Sequence, residues 1–189
     1  MLKIAAPLAA LALLTAPALA QQTAPAPAPK GEMTAQKAPA EAVTFAKKVA
    51  AANTFEIQSS KLAGTRSQSA DVKAFANQMI TDHTKAGEDF KAAVQQANVQ
   101  PAPAEVPNAK DKKTLARLEK ANGAAFDKAY VSAQLKAHKE AVALFRSYAK
   151  SGRSVPLKQF ASKTLPTLQH HLELITSISR GKHIASTAK

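Results

Sequence analysis

The chain has no cysteine and no tryptophan. Without cysteine there can be no disulfide staple, no thiolate metal ligand, no cysteine nucleophile and no lipid-modified N-terminal cysteine. Glycine is scarce, with six in 189 residues, and none is set in a Gly-rich loop that could cradle a phosphate. Aromatic residues make up 5% of the chain, too few to build stacking platforms for nucleic-acid bases. There is no Gly-x-Ser-x-Gly elbow and no arrangement resembling a catalytic triad. Acidic residues are also few: 13 against 26 Lys and Arg, for a net charge of +13. What the chain does have is alanine and helix-forming residues. Its apolar content of 46% is enough to bury a core, which separates it from disordered chains.

The two ends read differently from the middle. Lys3 forms a positive start, Ile4 to Leu14 is a short apolar run, and Ala18-Leu19-Ala20 supplies a small-x-small cleavage site. Residues 1–20 are therefore expected to be a secretory signal peptide cut near Ala20. Pro7 and Pro17 and the shortness of the run argue against a membrane anchor. The expected location is the periplasm or the exterior. Residues 21–40 alternate Ala and Pro, a composition that favours extended conformations and buries nothing.

From residue 41 the apolar period is helical. Phe45, Val49, Asn53, Glu56, Ser60 and Ala63 share one stripe, with Gly64 a stop signal. A second helix, capped by Ser69, carries Val72, Phe75, Met79, His83, Ala86 and Phe90 and runs to about Ala97. The prolines of the following NVQPAPAEVPNAKD segment forbid a helix there. A short helix is expected from Lys112 to Ala121. A long one follows Gly123, with Phe126, Tyr130, Ala137, His138, Ala141, Phe145 and Tyr148. The last begins near Ser154 and carries Leu157, Phe160, Leu168, His171 and Ile175, with Pro166 expected to kink it. Residues 179–189 read as a frayed tail. The short, long, short order of connections suits two helical hairpins joined by a crossover. The expected fold is all-α: a ferritin-like four-helix bundle over 41–178 whose long connection carries a short extra helix. A simple up-down-up-down bundle is the alternative.

The segments FEIQSSKLAG, FANQMITDHTKAGEDF, GAAFDKAYVSAQLKAHKEAVALF and LPTLQHHLEL resemble, in order, the motifs of the exported bacterial domain-of-unknown-function family 4142. The resemblance covers about residues 41–178 and implies a ferritin-like bundle and export, but no reaction. Its motif residues fall on Glu56, Asp82, His83, Asp127, Tyr130, His138, Pro166 and His171.

Polar residues on apolar stripes are costly to bury unless paired, so Glu56, His83, His138 and His171 stand out. Counting 1.5 Å per residue from the helix ends puts the three histidines within roughly 5 Å of one level. A crossover would bring Asp127 and Tyr130 to the level of Glu56, making a second cluster above the histidines. Imidazoles and carboxylates converging from several helices are how bundles hold metals. The candidate metal ligands are therefore His83, His138, His171, Glu56, Asp127 and Tyr130. The structural alternative is that each histidine is neutral, bonded to a neighbour, and fixes helix register. A nitrogen-rich set suits Cu or Zn better than Fe. A di-iron site would need Glu-x-x-His pairs, and Ile80 and Leu168 stand where those glutamates belong. Asp82, beside His83 in sequence, points about 100° away on a helix and reads as a rim charge. The functional expectation is a binding module rather than an enzyme. A ferritin-like metallo-oxidoreductase and an envelope protein that binds anionic surfaces remain alternatives. Export argues against nucleic acid as the partner of the basic surface. The oligomeric state is not fixed by the sequence.

Overall fold

Five helices account for most of the residues that the computed structural model describes, 37–184. The expected signal peptide, nearly all of the Ala-Pro arm and residues 185–189 lie outside the described residues. α1 (Ala40–Arg66) starts after Pro39 and carries Glu41 in its first turn and Arg66 in its last, both favourable to the helix dipole. α2 (Ala70–Gln96) is capped by Ser69, whose hydroxyl accepts from the Val72 N–H. α3 (Ala109–Lys120) is capped by the Asn108 side chain, which accepts from the Asp111 N–H at 3.0 Å. That cap starts α3 three residues earlier than the Lys112 expected from the apolar pattern. α4 (Gly123–Ser151) follows Asn122, and Gly123 takes a φ of +55°, a turn that a side chain would strain. α5 (Val155–Ser179) runs unbroken through Pro166. Ser162, whose carbonyl loses its helical partner to the proline, is exposed, as is Pro166. Water can therefore satisfy the freed group. α1 likewise passes Gly64 and ends at Arg66.

Cross-helix contacts set the directions. Phe45 meets Phe145 and Tyr148, Ser60 meets Tyr130, and Arg66 reaches the carbonyl of Ala121. α4 therefore runs antiparallel to α1. Asp89 pairs with Lys163 and Asp82 with His171, so α5 runs antiparallel to α2. The connection from Asn98 to Asn122 thus starts at one end of the bundle and finishes at the other. Its α3 lies against α1 and α4. Two antiparallel hairpins joined by a crossover is the expected topology, and the up-down-up-down alternative does not fit these contacts. No strand occurs among the described residues. No helix among them is long and apolar enough to cross a membrane.

The interior divides into three levels. At one end Phe45, Val49, Phe90, Phe145, Leu157 and Phe160 form an apolar core. At the other Val72, Phe75, Met79, Leu118, Phe126, Tyr130 and Ile175 form a second. Between them lies a buried polar layer of Glu56, Ser59, Ser60, His83, Gln134, His138 and His171, drawn from all four long helices.

Phe45 stacks on Tyr148 with ring centroids 3.8 Å apart and meets Phe145 edge-on at 5.4 Å. Truncating it leaves a cavity in a close-packed core. Phe45→Ala is expected to cost about 3–5 kcal/mol, measured by urea unfolding, with a midpoint unchanged from wild type counting against this packing.

Candidate metal centre

Each of the three central histidines is held by one ring nitrogen. His138 Nδ1 lies 3.0 Å from the Gln134 carbonyl oxygen one turn earlier in α4. A carbonyl only accepts, so this nitrogen carries the proton and Nε2 keeps its lone pair. His83 Nδ1 donates to the side-chain oxygen of Asn53 on α1 at 2.9 Å. His171 Nε2 donates to Asp82 on α2 at 2.8 Å. The opposite nitrogens, His83 Nε2, His138 Nε2 and His171 Nδ1, are buried with no hydrogen-bond partner among the described residues. The side chains of His138 and His171 are each 1% exposed.

These rings converge. Their centroids are 5.5–6.1 Å apart, and one ring nitrogen from each lies within 4.8 Å of the others. Nitrogens bound to a tetrahedral zinc at about 2.1 Å sit about 3.4 Å apart, so small side-chain rotations would close the set around an ion. Phe75 packs edge-on against His138 and His171 at 6.2 and 6.3 Å and braces the rings from the apolar side.

Burial decides the protonation state of the layer. It is the main cause that holds His83 well below the usual imidazole range, with the neighbouring histidines adding to it. It pushes His138 down to about 4, with His171 adding, against the bond to the Gln134 carbonyl. It also lowers His171, although Asp82 opposes the fall. The imidazoles are thus neutral at pH 7, the form that binds metal. Glu56 is 3% exposed and pushed up to about 8 by burial, with the Gln134 amide opposing the rise. Its Oε1 lies 3.9 Å from His138 Nδ1. With both groups neutral at pH 7, this approach is not an ion pair.

Of the other predicted residues, Glu56 joins the histidine layer instead of forming a separate upper cluster. Helical side chains lean toward their own N-terminus, and on α1 that direction leads from residue 56 toward the level of Asn53 and His83. Tyr130 binds Ser60 at 2.8 Å and packs with Phe75 and Phe126. Burial raises its phenol far above the usual range, which disfavours a phenolate ligand. Asp127 is half-buried nearer the start of α4, and its Oδ1 has no partner among the described residues. The histidines alone form the described group whose ligand atoms can share an ion. Asp82, read from the sequence as a rim charge, instead orients His171 across the α2–α5 interface. Its side chain is 31% exposed, at the edge where α5 meets α2. Sequence reasoning also missed Asn53 and Gln134. The available signal was Asn53 on the apolar stripe of α1, and Gln134 one turn before His138.

A cavity of about 310 Å³ opens beside the layer, between α1 and α4 and beneath the start of α3. Glu56, His83 and His138 line its inner end, while Lys48, Asn108, Lys110, Asp111 and Glu140 stand among its polar lining groups. Lys110 bonds both carboxylate oxygens of Glu140 at 3.1 Å, tying the crossover to α4 there.

The model of the domain of unknown function family DUF4142 matches residues 22–178. The chain belongs to that family. No curated protein and no solved structure matches it.

Two stability measurements on metal-free protein probe this arrangement. A carboxyl raised from 4.5 to about 8 favours the protonated folded state. Its contribution is lost as pH rises from the unfolded value through the folded one. Glu56→Gln should therefore stabilise the fold increasingly between pH 5 and pH 8, by on the order of a few kcal/mol. A difference that stays flat in thermal melts across that range would contradict the burial argument. The second variant is His138→Leu. It removes an imidazole whose free nitrogen is buried without a partner, while the Gln134 carbonyl keeps its helical bond. Its metal-free melting temperature should match or exceed wild type by a few degrees; a loss of about 3 kcal/mol would assign His138 a structural role.

Proposed function

We propose that this protein is an exported helical bundle that binds one divalent transition-metal ion through His83, His138 and His171. The observation that carries the reading is the division of labour within each imidazole: one nitrogen is fixed by an acceptor and the other is buried without a partner, in a trio whose ring nitrogens, one from each, come within 4.8 Å of one another. Fixing the far nitrogen sets the tautomer and orientation of a metal-binding histidine. A purely structural histidine layer would be expected to use its buried lone pairs within the protein. Three neutral imidazoles favour zinc or copper(II) over iron. The absence of glutamates at positions 80 and 168 further disfavours a di-iron oxidase. Three protein ligands beside a cavity leave a fourth position open, so the ion would meet a ligand and not only brace the fold. Export rests on residues 1–20, and the basic surface of the mature chain would then face the cell envelope.

Isothermal titration of chelator-treated protein with zinc and with copper(II) tests the proposal. One ion should bind per chain, and His83→Ala or His138→Ala should weaken it at least 100-fold. Asp82→Ala, which removes only the orienting partner of His171, should cost about 10–100-fold. Gly87→Ala should also weaken binding, since an added Cβ would stand 3.0 Å from Asn53 Nδ2 and press on the side chain that orients His83. No saturable binding, or binding unaltered in both histidine variants, would defeat the proposal.

A further inference from the structure

The cavity gives the proposed ion a specific kind of partner. Its inner end is formed by Glu56, His83 and His138, and the two histidines each carry a buried ring nitrogen with no partner among the described residues. Its walls are mainly apolar, and Ala52, Ala137 and Ala141 contribute to them from α1 and α4. Small side chains at these helix positions keep the space open where leucine would close it. Pockets of about 300–1,000 Å³ are the size that holds small organic ligands.

Charge narrows the class. A divalent ion on three neutral imidazoles leaves two positive charges in a buried layer, and uncompensated buried charge is costly. The Asp82 carboxylate, bonded to His171 Nε2 at 2.8 Å, answers one of them from the α2–α5 side. The other is left for an anion that enters through the cavity. The outer polar groups add little net charge, since Lys110 is matched by Glu140, and Lys48 and Asp111 have opposite signs.

We infer that the cavity binds a small aliphatic monocarboxylate, its carboxylate on the open position of the ion and its chain along the alanine-lined wall between α1 and α4. The inference rests on the metal-binding reading and extends it to the ligand. The negatively charged head completes the neutralisation that Asp82 begins. The apolar tail gains about 0.8 kcal/mol for each methylene removed from water. The cavity reaches His83 and His138, whereas His171 lies outside its lining, so the ligand approaches the ion from the α1–α4 side.

The probe is octanoate, with octanol and octylammonium as controls, titrated into the full chain loaded with cobalt(II). Octanoate should bind once per ion and shift the visible cobalt bands, which report a change in the coordination sphere. Neither control should shift them. Ala141→Phe, which fills the cavity without replacing a ligand, should keep the affinity for cobalt and weaken octanoate at least tenfold. Ala52→Leu is a milder variant with the same expected direction. If cobalt, zinc and copper(II) all fail to bind the wild-type chain, the metal-binding reading and this inference fall together. If metal binds and octanoate leaves the cobalt spectrum unchanged, only this inference falls. It falls also if both cavity variants bind metal and octanoate as wild type does.

Discussion

A neutral imidazole has one nitrogen that donates and one that accepts, and a buried one is at ease only when both are used. In this bundle three such rings meet at mid-height, and each has only its donor satisfied. Much of the interior is organised around that constraint. Apolar cores above and below the layer supply the burial that keeps the rings neutral. The donors are satisfied by three different means: a backbone carbonyl of the same helix, an amide from α1 and a carboxylate from α2. Rotating any one ring to use its free nitrogen elsewhere would break its existing bond. The arrangement is therefore fixed in orientation and unsatisfied in chemistry.

The crossover is what gives this layer its open side. α3 packs against α1 and α4 and buries Leu115 and Leu118, but Asn108, Lys110 and Asp111 at its start leave a cavity beneath them. An up-down-up-down chain would bring a short loop across one end and nothing along the side. Here the connection runs lengthwise and is tied to α4 by Lys110 and Glu140. It forms a partial cover over Glu56, His83 and His138. The opposite face is closed differently, by Asp82 reaching across to His171 and Lys163 to Asp89.

The helices and their order were legible in the sequence because apolar period, proline placement and loop length act locally. Caps were less so: Asn108 starts α3 earlier than the apolar pattern suggests because capping depends on one side chain and not on periodicity. The convergence of His83, His138 and His171 was legible from rise per residue alone, since errors of a few residues shift a level by only a few Å. Partners were not. Asp82 reads as a rim charge because its angle on α2 follows from the sequence and the position of α5 does not. Counting Cα levels puts Glu56 a cluster too high because it ignores the lean of a long side chain. Both failures concern direction across an interface, which one helix's periodicity does not contain.

The polar layer also bears on why so long a bundle keeps an expensive centre. Leucine at positions 83, 138 and 171 would join the two apolar cores into one and remove three unpaired acceptors. If the histidines served only to fix register, a single hydrogen-bonded pair such as Ser60–Tyr130 would suffice, with both of its polar atoms satisfied. Gln134 Nε2 already donates to Ser59 Oγ across the same interface at 2.9 Å. Register is thus specified twice over on the α1–α4 interface without any histidine. On that interface the imidazoles are surplus to the task, and each of the three rings keeps a buried nitrogen with no partner among the described residues. A shared cation, as proposed, would give those nitrogens a partner, which a register role would not.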